Sequence, residues 1–147
     1  MSIKQYMLRV AKFTGISNEA LIYTMVYIFR LYKSLSNFPF SIYTIHRLLL
    51  TSMRVATKFV DDVYINNARF ATIGGIKTPE MNLLEVEFLF LIDFELTMKS
   101  AQFDRIHALL SHAMHHPHPL LFISMNMFGD HFAISSSIPN LPAIKSV

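Results

Sequence analysis

The chain has 147 residues, about one ordinary domain, with 52% hydrophobic and 16% charged residues, a balance that excludes a disordered chain and allows a real core. It contains no cysteine, which removes disulfides, thiol nucleophiles and thiolate zinc sites together and fits a reducing compartment. The net charge of +3 hides a pattern: residues 1–60 hold eight Lys/Arg and one acid, residues 61–104 three bases and eight acids, which suits two differently charged faces better than a nucleic-acid footprint of one sign.

The N-terminal run MSIKQYMLRVAKF alternates charged and apolar residues and lacks the continuous apolar segment of a signal peptide. The longest apolar stretches, residues 20–29 and 88–92, end at Arg30, Asp93 and Glu95. They fall far short of the roughly 20 residues a membrane span needs. A soluble intracellular protein, in the nucleus and/or cytoplasm, is expected.

The spacing of Ile3, Tyr6, Met7 and Val10 predicts a first helix over 2–13, broken by Gly15. Ser17 is placed to cap a second helix, with Glu19 in its first turn, that stops before Asn37 and Pro39. A third helix is expected over 42–60. Its core stripe is Ile45, Leu48, Leu49, Ser52, Val55, Ala56 and Phe59, and small Ser52 and Ala56 allow another backbone close. Arg47, Thr51, Arg54 and Lys58 form a polar, basic stripe beside it.

A short helix is predicted over 67–73, stopped by Gly74 or Gly75 in the left-handed conformation. Thr78 then caps a fifth helix over 79–94, with Pro79 at its first position. That helix is apolar nearly all round, which predicts a place in the middle of a bundle. A sixth helix over 100–115 carries Phe103, Ile106, Leu109 and Leu110 on one face. From Pro117 neither period persists, and an irregular tail is expected. The class is all-α.

Several arrangements could carry chemistry. Gly74–Gly75 before Lys77–Thr78 faintly resembles the end of a phosphate loop, but Ile76 intervenes, the glycine spacing is wrong and no strand precedes it. His112, His115, His116 and His118 include helical metal-binding spacing, yet Pro117 and Pro119 interrupt them and no carboxylate is near in sequence. Solvated imidazoles at a helix end are the simpler reading, and no metal or cofactor is expected. Asp61 and Asp62 are adjacent and point apart, so they read as solvated helix-end residues rather than an acid/base pair. Lys58 and Asp62, four apart, could form a weak local ion pair.

Glu87 is a charge on an apolar helix, with Leu83, Phe90, Leu91 and Phe94 on its stripe. Burying an unpaired carboxylate is costly. It therefore has either an internal partner or a place on an exposed apolar interface.

Residues 46–96, HRLLLTSMRVATKFVDDVYINNARFATIGGIKTPEMNLLEVEFLFLIDFEL, closely resemble the cyclin box of the P/U-type cyclins of plants and protists, akin to the yeast phosphate-pathway cyclin family. The resemblance rests on Lys-Phe-x-Asp-Asp, the Asn-Asn link, Ile-Gly-Gly-Ile and the run Glu-Met-Asn-x-Leu-Glu. It extends more weakly back to Ser2 and forward to Leu110. It implies a single five-helix cyclin box, one following helix and an irregular tail, with residues 1–115 as the domain and 116–147 as the tail.

It further implies a regulatory subunit, not itself an enzyme, that binds and activates a cyclin-dependent protein kinase in cell-cycle or nutrient-signalling control. In such cyclins a lysine ending the third helix and a glutamate within the fifth bind the backbone ends of the kinase's PSTAIRE-type helix. The motif match gives these roles to Lys58 and Glu87, with Leu83, Phe90 and Leu91 around them and Arg54 on the same stripe as Lys58. There are departures. Phe29 stands before Arg30 where many cyclins have Asp, so the internal salt link to Arg9 is expected to be missing. The chain is expected to begin inside the first helix, and no second cyclin box is expected. Two other readings compete: a cyclin-fold scaffold binding other proteins, or nucleic acid through Arg47, Arg54 and Lys58; and a helical enzyme or metal protein using the histidines.

Overall fold

A computed structural model describes residues 1–34 and 42–115. The expected stop of the second helix before Asn37, the tail after Pro117, and His116 and His118 lie outside these residues. All regular structure among them is helical: α1 Ile3–Thr14, α2 Asn18–Ser34, α3 Ile42–Val60, α4 Asn67–Gly74, α5 Thr78–Leu91 and α6 Ser100–Met114. None of these helices is long and apolar enough to cross a membrane. The chain divides into two compact units, Met1–His107 and Ala108–Val147, with the boundary inside α6. The first unit contains α1 to α5.

Local chemistry explains the helix ends. Ser2 and Gln5 form a reciprocal capping box at α1: the Gln5 N–H donates to Ser2 Oγ (3.2 Å) and the Ser2 N–H to Gln5 Oε1 (3.1 Å). Gly15 closes α1 at φ 64°. Ser17 Oγ accepts from the Ala20 N–H (3.0 Å), as expected of a cap. It also donates to the Asp61 carboxylate, which takes the Ser17 N–H as well (3.2 Å). Asp61 is therefore not a solvated helix end. It fastens the end of α3 to the start of α2. Thr78 lies inside α5 rather than capping it: Lys77 is the capping position and makes no side-chain cap bond.

The central helix is α3, not α5. Every residue from Leu48 to Thr57 is buried, and α3 packs against α1, α2, α4 and α5. Its buried hydroxyls are satisfied internally. Thr51 and Thr57 donate to the carbonyls of Arg47 and Met53 (both 2.7 Å), and Ser52 donates across to the Thr24 carbonyl of α2 (3.0 Å). The small Ser52 does admit the α2 backbone at Thr24, as its size predicts.

α5 buries only one stripe, Met81, Glu85 and Phe88, continued by Ile92. Leu83, Val86, Phe90 and Leu91 are exposed. Hydrophobicity on all sides here reflects a core face plus an open apolar face, not burial all round.

α4 crosses α3 closely at Gly74. A Cβ at this position would collide with the buried side chain of Leu50, and the Gly74 carbonyl accepts from Tyr6 Oη of α1 (3.0 Å). Gly75, at φ 77°, is the residue that ends α4 in the left-handed region. Gly74→Ala is expected to lower stability by about 1–3 kcal/mol through overpacking. In chemical denaturation, Gly74→Ala combined with Leu50→Ala should cost less than the sum of the two, since the second change vacates the contested space.

Candidate functional site

The C-terminal half of α3 carries an arginine and a lysine one turn apart, Arg54 and Lys58, on the side that faces α4 and α5. Arg54 is only 1% exposed. A buried guanidinium needs acceptors. Its Nε donates to Oδ1 of Asn67 (2.6 Å), and its guanidinium carbon lies 5.3 Å from the Phe70 ring centroid and 5.7 Å from that of Tyr64. Burial pushes the Arg54 pKa below its usual value, and the Glu85 carboxylate and Tyr64 hydroxyl oppose that shift.

Asn67 begins α4, immediately after the capping residue Asn66, whose Oδ1 accepts from the Arg69 N–H (2.8 Å). The cap fixes where the helix starts and so where Asn67 projects. Its amide nitrogen donates to Glu85 Oε2 (2.8 Å) and to Asn82 Oδ1 (2.7 Å), both on α5. One amide thereby joins three helices, with its oxygen taking the arginine and both N–H groups used on α5.

Glu85 completes the network. Lys58 Nζ lies 2.6 Å from Oε1 and 2.8 Å from Oε2. The lysine side chain is 36% exposed and the glutamate 11%. The pair therefore sits at the edge of the core, with spare donor capacity on the ammonium and acceptor capacity on the carboxylate. Phe59, Val63 and Tyr64 at and beyond the end of α3, and Val86 beside Glu85, are all exposed apolar side chains.

Lys58 and Glu87, expected to hold the two ends of a partner helix, do not share one surface: Lys58 pairs with Glu85. Glu85 and Glu87 are two residues apart on a helix of 3.6 residues per turn, so they point roughly 160° apart. Glu87 is exposed and lines a groove of about 190 Å³ with Thr44, Arg47, Leu48 and Thr51 of α3 and Leu84, Phe88 and Leu91 of α5. That groove lies along the N-terminal half of α3, about two turns from Lys58. Glu87 reaches the surface, with no internal partner among the described residues. Glu85 could have been found: the run Glu-Met-Asn-x-Leu-Glu ends on it, and Met81, Glu85, Phe88 and Ile92 recur at helical spacing as the inward stripe.

Of the other candidates, Leu83 (59%), Phe90 (68%) and Leu91 are exposed, while Arg54 is too buried to touch a partner. The basic stripe is likewise consumed: Arg47 pairs with Glu80 of α5 (2.6 Å), Arg54 with Asn67 and Lys58 with Glu85. Lys58 is not held by Asp62. Arg9 is exposed, and Arg30, lacking the usual preceding Asp, binds the segment after α5 instead. Among the described residues no cluster of His, Asp and Glu could hold a metal, and His112 and His115 are exposed.

Asn67→Ala is expected to destabilise the fold by about 2–4 kcal/mol, because it leaves the buried Arg54 Nε without its acceptor. Glu87→Ala should stay within about 0.5 kcal/mol of the unaltered chain. Equilibrium urea denaturation of the two variants checks both.

A family model described as cyclin matches residues 1–96. Over 123 residues the chain is 37% identical to cyclin-U4-1 of Arabidopsis thaliana, covering 84% of this chain and 61% of that protein. It is 42% identical over 98 residues to cyclin-U4-2 of the same plant (67% and 45% covered) and 40% identical over 114 residues to cyclin-P4-1 of Oryza sativa subsp. japonica (78% and 54% covered). The chain thus spans about half the length of these curated relatives. The helical box built around α3, the matched residues and these likenesses place the chain in the cyclin family, as a cyclin of the P/U type.

Proposed function

We propose that this chain is a regulatory subunit that binds and activates a cyclin-dependent protein kinase through the Lys58–Glu85 end of α3 and α5. The observation that carries the reading is the ion pair itself: part-exposed, fixed from behind by Asn67 and Arg54, and flanked by exposed apolar side chains. A helix in a partner presents unsatisfied N–H groups at one end and carbonyls at the other. A carboxylate accepts from the first and an ammonium donates to the second, while Val86, Phe59 and neighbouring apolar groups exclude water around them. Glu85 takes the acceptor role that the motif match gave to Glu87.

Holding such a helix in one position biases a kinase toward the state in which its own Lys–Glu pair forms. The cyclin contributes no reacting group. Cell-cycle or nutrient-signalling control, in the nucleus and/or cytoplasm, is the setting that this role implies. The nucleic-acid alternative has less support, since the arginines it would use are paired or buried.

The test is capture of a cyclin-dependent kinase from native cells, followed by titration with the purified catalytic subunit and a phosphotransfer assay with and without the chain. Lys58→Glu and Phe90→Asp should each weaken binding, the first by about 2–4 kcal/mol, with helical content unchanged by circular dichroism. Glu87→Ala should bind as the unaltered chain does. Undiminished binding by Lys58→Glu, or no rise in phosphotransfer on adding the chain, rules the proposal out.

A further inference from the structure

The turn that follows α5 is built against local preference. Asp93 and Phe94 both have left-handed backbone, at φ 54° and 52°. Glycine is the ordinary residue there, and a bulky side chain in this region is strained. The amides are nevertheless all engaged: Ile92, Asp93, Phe94, Glu95 and Leu96 donate to the carbonyls of Phe88, Phe90, Leu89, Ile92 and Phe94 at 2.9–3.1 Å.

The contacts that over-determine the turn come from α2. Tyr27 Oη donates to the Leu96 carbonyl (2.9 Å). Arg30 donates from Nη1 to the Glu95 carbonyl and from Nη2 to the Thr97 carbonyl (2.7 Å), and its Nη2 also lies 3.5 Å from the Glu95 carboxylate. Two side chains one turn apart thus grip three consecutive carbonyls. The Arg30 side chain is 13% exposed and Tyr27 is fully buried, so the grip is set in the body of the fold.

The product of this strain is an exposed aromatic pair. Phe94 is 53% exposed and Phe90 68%, with ring centroids 5.1 Å apart and planes at 81°. A glycine stop after α5 would cost the isolated fold less and would not hold a ring out to water. Strain kept in place by the buried Tyr27 and the largely buried Arg30, with a large apolar side chain presented as the result, fits a surface shaped for a partner.

We infer that Tyr27 and Arg30 are positioning residues for partner binding: they hold the carbonyls of residues 95–97, keep Asp93 and Phe94 left-handed, and so aim the Phe90–Phe94 pair. This rests on the kinase-binding reading for the identity of the partner. It also gives Arg30 a role that does not need the missing aspartate.

The test uses the whole chain and the purified catalytic subunit of the captured kinase. Arg30→Ala should weaken kinase binding by about tenfold, while Gly74→Ala, a destabilising change elsewhere, should not. Adding Asp93→Gly to Arg30→Ala should restore most of the affinity, because glycine holds the left-handed turn without the guanidinium. Amide hydrogen exchange supplies a readout independent of the kinase: Arg30→Ala should speed exchange at Phe94, Glu95 and Leu96, and Asp93→Gly should reverse it. Unchanged exchange at these amides, or unchanged binding by Arg30→Ala when Lys58→Glu loses it, overturns the inference alone. No kinase binding by the unaltered chain overturns this inference together with the reading beneath it.

Discussion

A guanidinium enclosed in the middle of the most buried helix is the constraint around which the rest is arranged. Arg54 has almost no contact with water, so its charge requires an acceptor inside the fold. Asn67 supplies one and passes the connection on to Glu85, which holds Lys58 at the surface. The start of α4, the rotation of α5 and the last turn of α3 must therefore agree with one another. Altering any of them breaks a hydrogen bond of this network. A charge deep in the core thereby fixes a donor–acceptor pair at its edge.

That coupling separates two kinds of apolar surface on the same helix. The stripe Met81, Glu85, Phe88 and Ile92 faces α3 and the network. The remaining sides of α5 carry Leu83, Val86, Phe90 and Leu91 into solvent. The aromatic turn at Phe94 continues this open face, and α2 anchors it through Tyr27 and Arg30. The exposed face is not a by-product of a small core: polar contacts hold both of its ends. A rigid backing of this kind reduces the ordering that a partner's docking would otherwise require.

Much of the architecture was legible along the chain because it rests on local rules. Helical spacing located the elements, and Gly15 and Gly75 stopped helices through the left-handed backbone they adopt. Ser17 capped α2 because a hydroxyl at that place meets a free N–H. The motif runs carried the family, and the run ending at Glu85 contained the residue that pairs with Lys58.

The side of each element that faces inward was not decided by the chain alone. α5 has apolar residues on every side, so its periodicity does not choose between Glu85 and Glu87; packing against α3 makes that choice. The polar, basic stripe of α3 carries no sign of its partners along the chain; Asn67, Glu80 and Glu85 arrive from elsewhere to satisfy it. Asp61 finds Ser17, and Arg30 finds the carbonyls after α5, across separations of 44 and more than 60 residues. Helix propensity, caps and family motifs are properties of neighbours in sequence, and the sequence determined them. The partner of each buried charge depends on distances across the fold, and only the tertiary structure decided those.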